Sequence, residues 1–440
     1  MVKTDERPNW IQTIAYGIQH VLAMFSGTVL IPLLMGFDTN TALFFSGIST
    51  IIFFIVTRGR VPSYLGSSGS FVSAVCAVTG YVYSPSTFNE NMPVAQGGIL
   101  ILGIIYVAIA IFVLAFGHAW LEFLMPPIVT GAIVSGIGLH LAFSAFTQAT
   151  SNSFDTWMAV STVLIIMLLS VYAPLPSIRR MQVSAILLGM IIGYVINLIC
   201  GLKGAGPAID YTSVSAAPWV RGPTIHHELV FDSKSISTIA PLIVVVLAEN
   251  LGHLKALSSM TEKPMEKYLG AAYLGDALST IMASFVGAPP MTTYAENIGV
   301  VAITRIFSPV VFLVAAIVAI ILGCIAKFGA VVHTIPPGVF GGVAFVLYTI
   351  IGVTGVRIWV INEVDFFDSR NIFVGGIPLM LAATIQVPVQ MNNFQLDGIG
   401  AATFSSIILY HLLQGTEGWK NYGKAVWRVC RRPLNPTSPV

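Results

Sequence analysis

Three carboxylates stand well inside apolar sequence: Glu249, Asp276 and Glu296. If such stretches lie in a bilayer, a carboxylate at mid-depth costs at least about 2.5–3.5 kcal/mol on insertion scales, so it faces a cavity and serves a purpose there. Glu249 lies four residues before His253 in Val-Val-Val-Leu-Ala-Glu-Asn-Leu-Gly-His. An i, i+4 pair shares one helix face and is within hydrogen-bonding reach. Glu296 follows Gly287-Ala-Pro-Pro-Met-Thr-Thr-Tyr294 at the start of another apolar stretch. A helix start favours its ionised form and desolvation its protonated form, and a group balanced in this way can load and release a proton. The competing reading of Glu249 and His253 is a purely structural pair. Asp276, after Gly275, reads as a cap or a bridge between helices. His20 beside Gln19 reads by itself as a packing histidine, and Phe71 as ordinary core.

The composition requires that these groups sit in a membrane. Of 440 residues, 55% are hydrophobic and only 9% charged, against about 25% charged in an average soluble protein. That excludes a soluble globule, a disordered chain and a disulfide scaffold, and the net charge of +2 offers nothing to a nucleic acid. Cys76, Cys200, Cys324 and Cys430 are far apart and read as packing residues. No metal-ligand spacing and no cofactor motif is present in the sequence.

Apolar stretches fall at about 11–31, 41–56, 71–82, 97–117, 127–146, 157–173 and 183–200. After a polar stretch near 201–237 they resume at about 238–253, 268–286, 291–306, 308–326, 337–353, 371–386 and 398–414. Read as fourteen spans of an all-α polytopic protein with the N-terminus inside, they place 17 of the 21 Lys and Arg on the cytoplasmic side. Only Lys203, Arg221, Lys234 and Lys327 remain outside, as the positive-inside rule asks. Both termini are then cytoplasmic, and the opening MVKTDERPNW reads as a cytoplasmic lead rather than a removable signal.

Pro126-Pro127-Ile-Val-Thr-Gly131 recurs as Pro336-Pro337-Gly-Val-Phe-Gly341, seven spans later. An odd spacing makes the second copy enter from the opposite side, giving a 7 + 7 inverted repeat. The third span of each half is short and follows non-helical chemistry, Pro62-Ser-Tyr-Leu-Gly-Ser-Ser-Gly-Ser70 and Gly287–Tyr294. Irregular backbone survives at membrane depth where it lines an enclosed cavity, and a matching pair of such segments points to a transporter's binding site. Re-entrant loops with a packing role are the alternative.

Glu296-Asn297-Ile-Gly-Val-Val-Ala-Ile-Thr304-Arg305 fits the signature of the nucleobase–ascorbate transporters at every fixed position. Gln19-His20, Arg60–Phe71 and Ala248–His253 resemble three further elements of that family, in order, and the likeness runs from about residue 10 to 415. Within the family the chain looks most like bacterial uracil and pyrimidine permeases. The resemblance implies core domains at 1–126 and 238–332 and gate domains at 127–237 and 333–440. It also implies short antiparallel strands in spans 3 and 10 that meet at mid-membrane. By motif it puts Glu249, Glu296, Phe71, Tyr294 and Ala295 at the substrate, the last through backbone. Glu249, His253, Glu296 and Tyr348 would serve proton coupling, with Asn297, Gln19 and His20 in support.

The chemistry of the residues agrees. A pyrimidine base carries two ring N–H donors and two carbonyl acceptors on a flat apolar body. Two carboxylates can accept from the N–H groups, free backbone N–H groups at broken helices can donate to the carbonyls, and an aromatic ring can cover the face. The expectation is a proton-coupled importer of uracil working by alternating access in the inner membrane, as a homodimer in the lipid bilayer. The alternatives are a purine permease for xanthine or urate, an intramembrane enzyme using Glu249, His253 and Glu296, and a channel. The enzyme lacks any HExxH, GxSxG or Cys/His cluster, and broken helices in an inverted repeat speak against the channel.

Overall fold

The computed structural model describes residues 2–4, 6–84, 87–172, 185–226, 228–391 and 394–414. Arg179, Arg180, Lys420, Lys424, Arg428, Arg431, Arg432 and Cys430 lie outside the described residues, so much of the cytoplasmic charge expected from the sequence does too.

The first half of the chain holds α1 (Trp10–Met35), α2 (Thr39–Val56), β1 (Leu65–Ser67), α3 (Val72–Thr79), α4 (Met92–Phe116), α5 (Ala119–Leu124), α6 (Pro127–Ala149), α7 (Ser153–Val171) and α8 (Ala185–Leu202). The polar stretch contributes α9 (Thr212–Ala216) and α10 (Ser233–Ile239). Then come α11 (Ile243–Thr261), α12 (Leu269–Val286), β2 (Met291–Thr293), α13 (Ala295–Thr304), α14 (Pro309–Gly323), α15 (Ala326–Val332), α16 (Pro337–Ile361) and α17 (Ser369–Thr384). A hairpin of β3 (Val389–Met391) and β4 (Phe394–Leu396) precedes α18 (Gly398–Leu412).

Among the described residues, nine helical segments are long and apolar enough to cross a membrane, or ten if α14 and α15, bent by 84°, count as one. The apolar helices Gly69–Thr79 and Gly398–Leu412 are shorter than a full crossing. The starts of several long helices are chemically marked. Asn9 and Asp38 accept backbone N–H bonds from Gln12 and Asn40 at the heads of α1 and α2. Pro127 and Pro337 occupy the first position of α6 and α16, where a missing N–H costs nothing.

Two bodies emerge from the packing. In one, α4 lies on α12, and α14 on α1 and α2; in the other, α6 lies on α16, α17 and α18, with α7 and α8 alongside. The bodies meet where α11 approaches α6 and α1 approaches α16. The α6–α16 pair is antiparallel and very close: a Cβ on Gly138 would strike the Gly352 backbone, and one on Gly355 would strike Ser135. Between helices in lipid, small residues permit this approach and dispersion and hydrogen bonds reward it. Ser135 Oγ donates to the Gly352 carbonyl at 3.0 Å, and Trp359 Nε1 to that of Ile128 at 3.0 Å.

The polar stretch before α10 straps across the first body. Arg221 N–H bonds to the Cys324 carbonyl at 3.0 Å and its guanidinium lies 3.8 Å from Asp38. Further on, Thr224 N–H reaches Thr41 Oγ1 at 3.0 Å, and Val230 N–H the Pro93 carbonyl at 3.0 Å.

Candidate functional site

Fifteen residues separate α2 from α3, and eight separate α12 from α13, and these two gaps find each other. β1 and β2 pair antiparallel, with Leu65 opposite Thr293, Gly66 opposite Thr292 and Ser67 opposite Met291. The ladder extends through Tyr294 N–H to the Tyr64 carbonyl at 3.0 Å and Ser68 N–H to the Pro290 carbonyl at 2.9 Å. All six strand residues are buried. Each strand thereby satisfies groups that the other's irregular backbone would otherwise leave open in an apolar medium.

Each strand runs straight into a helix start. Gly69–Phe71 form one 3₁₀ turn that feeds α3, and Tyr294 precedes α13. Neither Ser68 nor Tyr294 caps its helix with a side chain. Two helix N-termini therefore meet near the crossing with first-turn N–H groups available to a ligand's oxygen atoms.

A cavity opens beside the crossing. Glu249 and His253 of α11 line it, together with Tyr294 and Glu296 at the head of α13, and Ser67, Ser70 and Thr292 from the broken segments. Ile31 of α1 completes this side, and Val134, Ile137, Ile351 and Thr354 of α6 and α16 face it. Glu249 Oε2 accepts from Ser70 Oγ at 3.2 Å. The hydroxyls of Ser67 and Thr292 are buried and have no hydrogen-bond partner among the described residues, so they remain available to a guest.

Tyr294 is held in place twice. Its hydroxyl donates to the Ser67 carbonyl at 3.1 Å, and its ring lies over Gly66, where a Cβ would run into it. Gly27 of α1 is close as well: a Cβ there would come to 3.3 Å from the Tyr294 hydroxyl and 3.4 Å from Glu296 Oε1. Two glycines thus make the room in which this aromatic ring and carboxylate stand side by side.

Of the residues singled out in the sequence, Glu249, His253, Tyr294 and Glu296 share the cavity. The hydrogen bond expected between Glu249 and His253 is not what holds them. His253 Nδ1 pairs with Thr293 Oγ1 at 2.8 Å while Glu249 turns to Ser70, because the broken segments bring hydroxyls within reach of both. Phe71 is buried in the core and does not line the cavity, whereas Gly69 and Ser70 do. Ala295 is the first residue of α13 and brings its backbone to the crossing. Tyr348 is fully buried in α16, its hydroxyl without a partner among the described residues, and does not line the cavity.

Asn297, the residue after Glu296, forms a support with His20. Asn297 Nδ2 lies 2.9 Å from His20 Nδ1, joining α13 to α1, and the His20 ring packs 4.4 Å from that of Phe312. Gln19 takes no part in this contact, and its amide nitrogen is buried without a partner among the described residues. Asp276 follows its structural reading: it accepts from Asn250 Nδ2 at 2.6 Å and from the Tyr106 hydroxyl at 3.5 Å, tying α12 to α11 and α4.

Sequence reasoning missed Ser67, Ser70, Thr292 and Thr293, although all lie in the segments it marked as interrupted. A hydroxyl one residue before Phe71 was the available signal for Ser70. Nothing in an aliphatic helix distinguished Val134, Ile137 or Ile351 from residues facing lipid.

Known proteins resemble this chain in sequence or in architecture. A model of a permease family, Xan_ur_permease, matches residues 11–390. RutG of Escherichia coli (strain K12), provisionally named a pyrimidine permease, is 44% identical over 414 residues, covering 94% of this chain and 92% of its own. The uracil permease of Paenibacillus larvae is 34% identical over 418 residues, covering 93% and 96%. Among solved structures, the transmembrane domain of the cyanobacterial bicarbonate transporter BicA superposes with a TM-score of 0.60 at 15% identity, over 93% of this chain and all of that one. At that identity the likeness concerns the fold alone. The sequence relatives are named permeases rather than enzymes, and the many apolar helices make this a multi-pass membrane protein.

Proposed function

The chain belongs to the nucleobase–ascorbate transporter family of permeases, and on that premise we propose that it imports a nucleobase, uracil first, by proton-coupled alternating access. One observation carries the reading. Glu249 and Glu296, 47 positions apart and on different helices, line a single cavity beside two uncapped helix starts. Carboxylates accept from the ring N–H groups, helix-start N–H groups donate to the carbonyls, and Tyr294 covers part of the ring. An analogue without those N–H groups leaves buried acceptors unpaired, which gives strong discrimination. A site for an anion would instead present Lys or Arg, and none lines the cavity among the described residues.

The same two glutamates, with His253 beside them, are the groups proposed to carry the coupling proton, and Tyr348 is assigned a gate-side part in it. A membrane potential supplies about 2.3 kcal/mol per charge per 100 mV. Residues 1–126 and 238–332 form the core that carries the base; 127–237 and 333–440 form the gate. β1 and β2 belong to spans 3 and 10 of a fourteen-span, 7 + 7 inverted repeat, with both termini in the cytoplasm of a cell whose inner membrane holds the protein as a homodimer. The separate packing of α6, α16, α17 and α18 supports that division.

The test is uptake of labelled uracil into proteoliposomes, with unlabelled uracil, thymine, xanthine and urate as competitors. The proposal expects saturable uptake, strongest competition by uracil, and collapse of accumulation by a protonophore. Uptake that survives the protonophore but requires sodium would overturn the coupling, and preferential competition by xanthine would overturn the substrate.

A further inference from the structure

The cavity has two walls of opposite character. The α11, α13 and broken-segment wall is polar, with Glu249, His253, Glu296, Ser67, Ser70 and Thr292. The facing wall is Val134 and Ile137 of α6 and Ile351 and Thr354 of α16. These four are not scattered. The antiparallel register that puts Ser135 on Gly352, Ile128 on Trp359 and Gly138 on Gly352 sets Val134 beside Thr354 and Ile137 beside Ile351. Together they make a plate two residues wide and two deep.

The plate is stiff. Its two helices touch backbone to backbone at Gly131, Gly138, Gly352 and Gly355, so neither can yield without moving the other. It is also bounded at both ends. A Cβ at Gly252 of α11 would lie 3.6 Å from Ile358 Cδ1 and 3.9 Å from Thr130 Cγ2. At the other end, one at Gly69 would lie 3.9 Å from Leu141 Cδ1. The stripes Thr130–Val134–Ile137–Leu141 and Ile351–Thr354–Ile358 thus close on the polar wall above and below the cavity.

Thr354 is the single polar member. Its hydroxyl hydrogen is committed to the Ile350 carbonyl at 2.8 Å, so the plate offers a ligand no donor. Only aliphatic surface and one hydroxyl lone pair face the guest.

We infer that Val134, Ile137, Ile351 and Thr354 are specificity-determining residues that read the size of the base edge turned away from the carboxylates, and so restrict the site to single-ring bases. The inference rests on the proposed transport of a nucleobase. A pyrimidine that gives its N–H groups to the polar wall turns its C–H edge to this plate, where aliphatic groups fit. A purine must put its second ring there and meets a wall that cannot retreat. Removing one or more methylene-sized groups from such a wall changes discrimination by about 10–200-fold.

The experiment is inhibition of labelled uracil uptake by unlabelled uracil and xanthine, in proteoliposomes of the full-length chain carrying Ile351→Ala, Ile137→Ala or Thr354→Val. Both alanine variants are expected to lower the ratio of xanthine to uracil half-inhibition concentrations about tenfold, with uracil itself changing less than about threefold. Thr354→Val keeps the volume and is expected to leave that ratio where the unmutated protein has it. An unchanged ratio in both alanine variants, or a shift in Thr354→Val as large as theirs, overturns the inference. If Ile351→Ala fails to reach the membrane, Ile351→Val is read on the same ratio with a smaller expected shift in the same direction, and no shift counts against the inference. Failure of the unmutated protein to take up uracil would instead overturn the transport reading.

Discussion

The two broken segments are alike in backbone and unlike in chemistry. Leu65–Ser67 and Met291–Thr293 are three-residue strands paired with each other, and each leads within a few residues into a helix start without a side-chain cap. Around the first, the side chains offered to the cavity are Ser67 and Ser70; around the second, they include Tyr294 and Glu296. Glu249 and His253 come from the second half of the chain as well. The first segment therefore frames and positions, and the second carries charge. A repeated fold provides matched backbone for both arms, while the ionisable groups need be placed only once.

The strongest way to break this contrast is to neutralise the charged arm. Glu296→Gln and Glu249→Gln preserve shape but present a donor where an acceptor stands. Each is expected to reduce uracil uptake by about 10- to 150-fold, by analogy with the loss of charged hydrogen bonds worth about 1.5–3 kcal/mol each. Glu90→Gln, at an exposed position, is expected to leave uptake unchanged, and initial rates in proteoliposomes measure all three. Next in size is the frame. Gly66→Ala drives a methyl into the Tyr294 ring, and overpacking of this kind costs about 1–3 kcal/mol. A lower unfolding midpoint together with about tenfold weaker uracil binding is the expected result.

Smaller changes sharpen the comparison. Ser70→Ala removes the hydroxyl that the framing arm lends to Glu249, and the half-saturation concentration is expected to rise about tenfold, within the range for a hydrogen bond to a charged group. Thr293→Val deletes the partner of His253 Nδ1. A neutral hydrogen bond is worth about 0.5–1.5 kcal/mol, so about a threefold loss of uptake is expected, measured against the unmutated protein. A negligible effect would show that the Thr293 contact does not hold His253.

These effects differ in how far they could be foreseen. Glu249 and Glu296 are legible in the sequence because a carboxylate in apolar surroundings is costly, and the segments around residues 62–70 and 287–294 are legible because Pro, Gly and Ser interrupt a span. That the two segments touch follows from the repeat and from the need to pair open backbone. The partner of His253 was not legible: i, i+4 spacing favours Glu249, but Thr293 arrives from a strand 40 residues away. Phe71 carried the family's signal while Gly69 and Ser70 took the lining positions, since a 3₁₀ turn redirects successive side chains in a way no motif records. The plate of Val134, Ile137, Ile351 and Thr354 depends wholly on how α6 meets α16. Aliphatic residues facing a cavity and aliphatic residues facing lipid are written with the same letters. Loop placement was hidden for a related reason. Arg221 and Val230 bond to the ends of α14 and α4 through backbone, and backbone carries no sequence.

The claim on which the rest depends is that Glu249 and Glu296 grip one base between them. Equilibrium binding of labelled uracil to the purified protein, compared among the unmutated chain, Glu249→Gln, Glu296→Gln and Glu90→Gln, tests it without involving transport or coupling. The account predicts saturable binding by the unmutated chain and by Glu90→Gln, and about 100-fold weaker binding by each of the two cavity variants. Unmutated affinity in both Glu249→Gln and Glu296→Gln would contradict it.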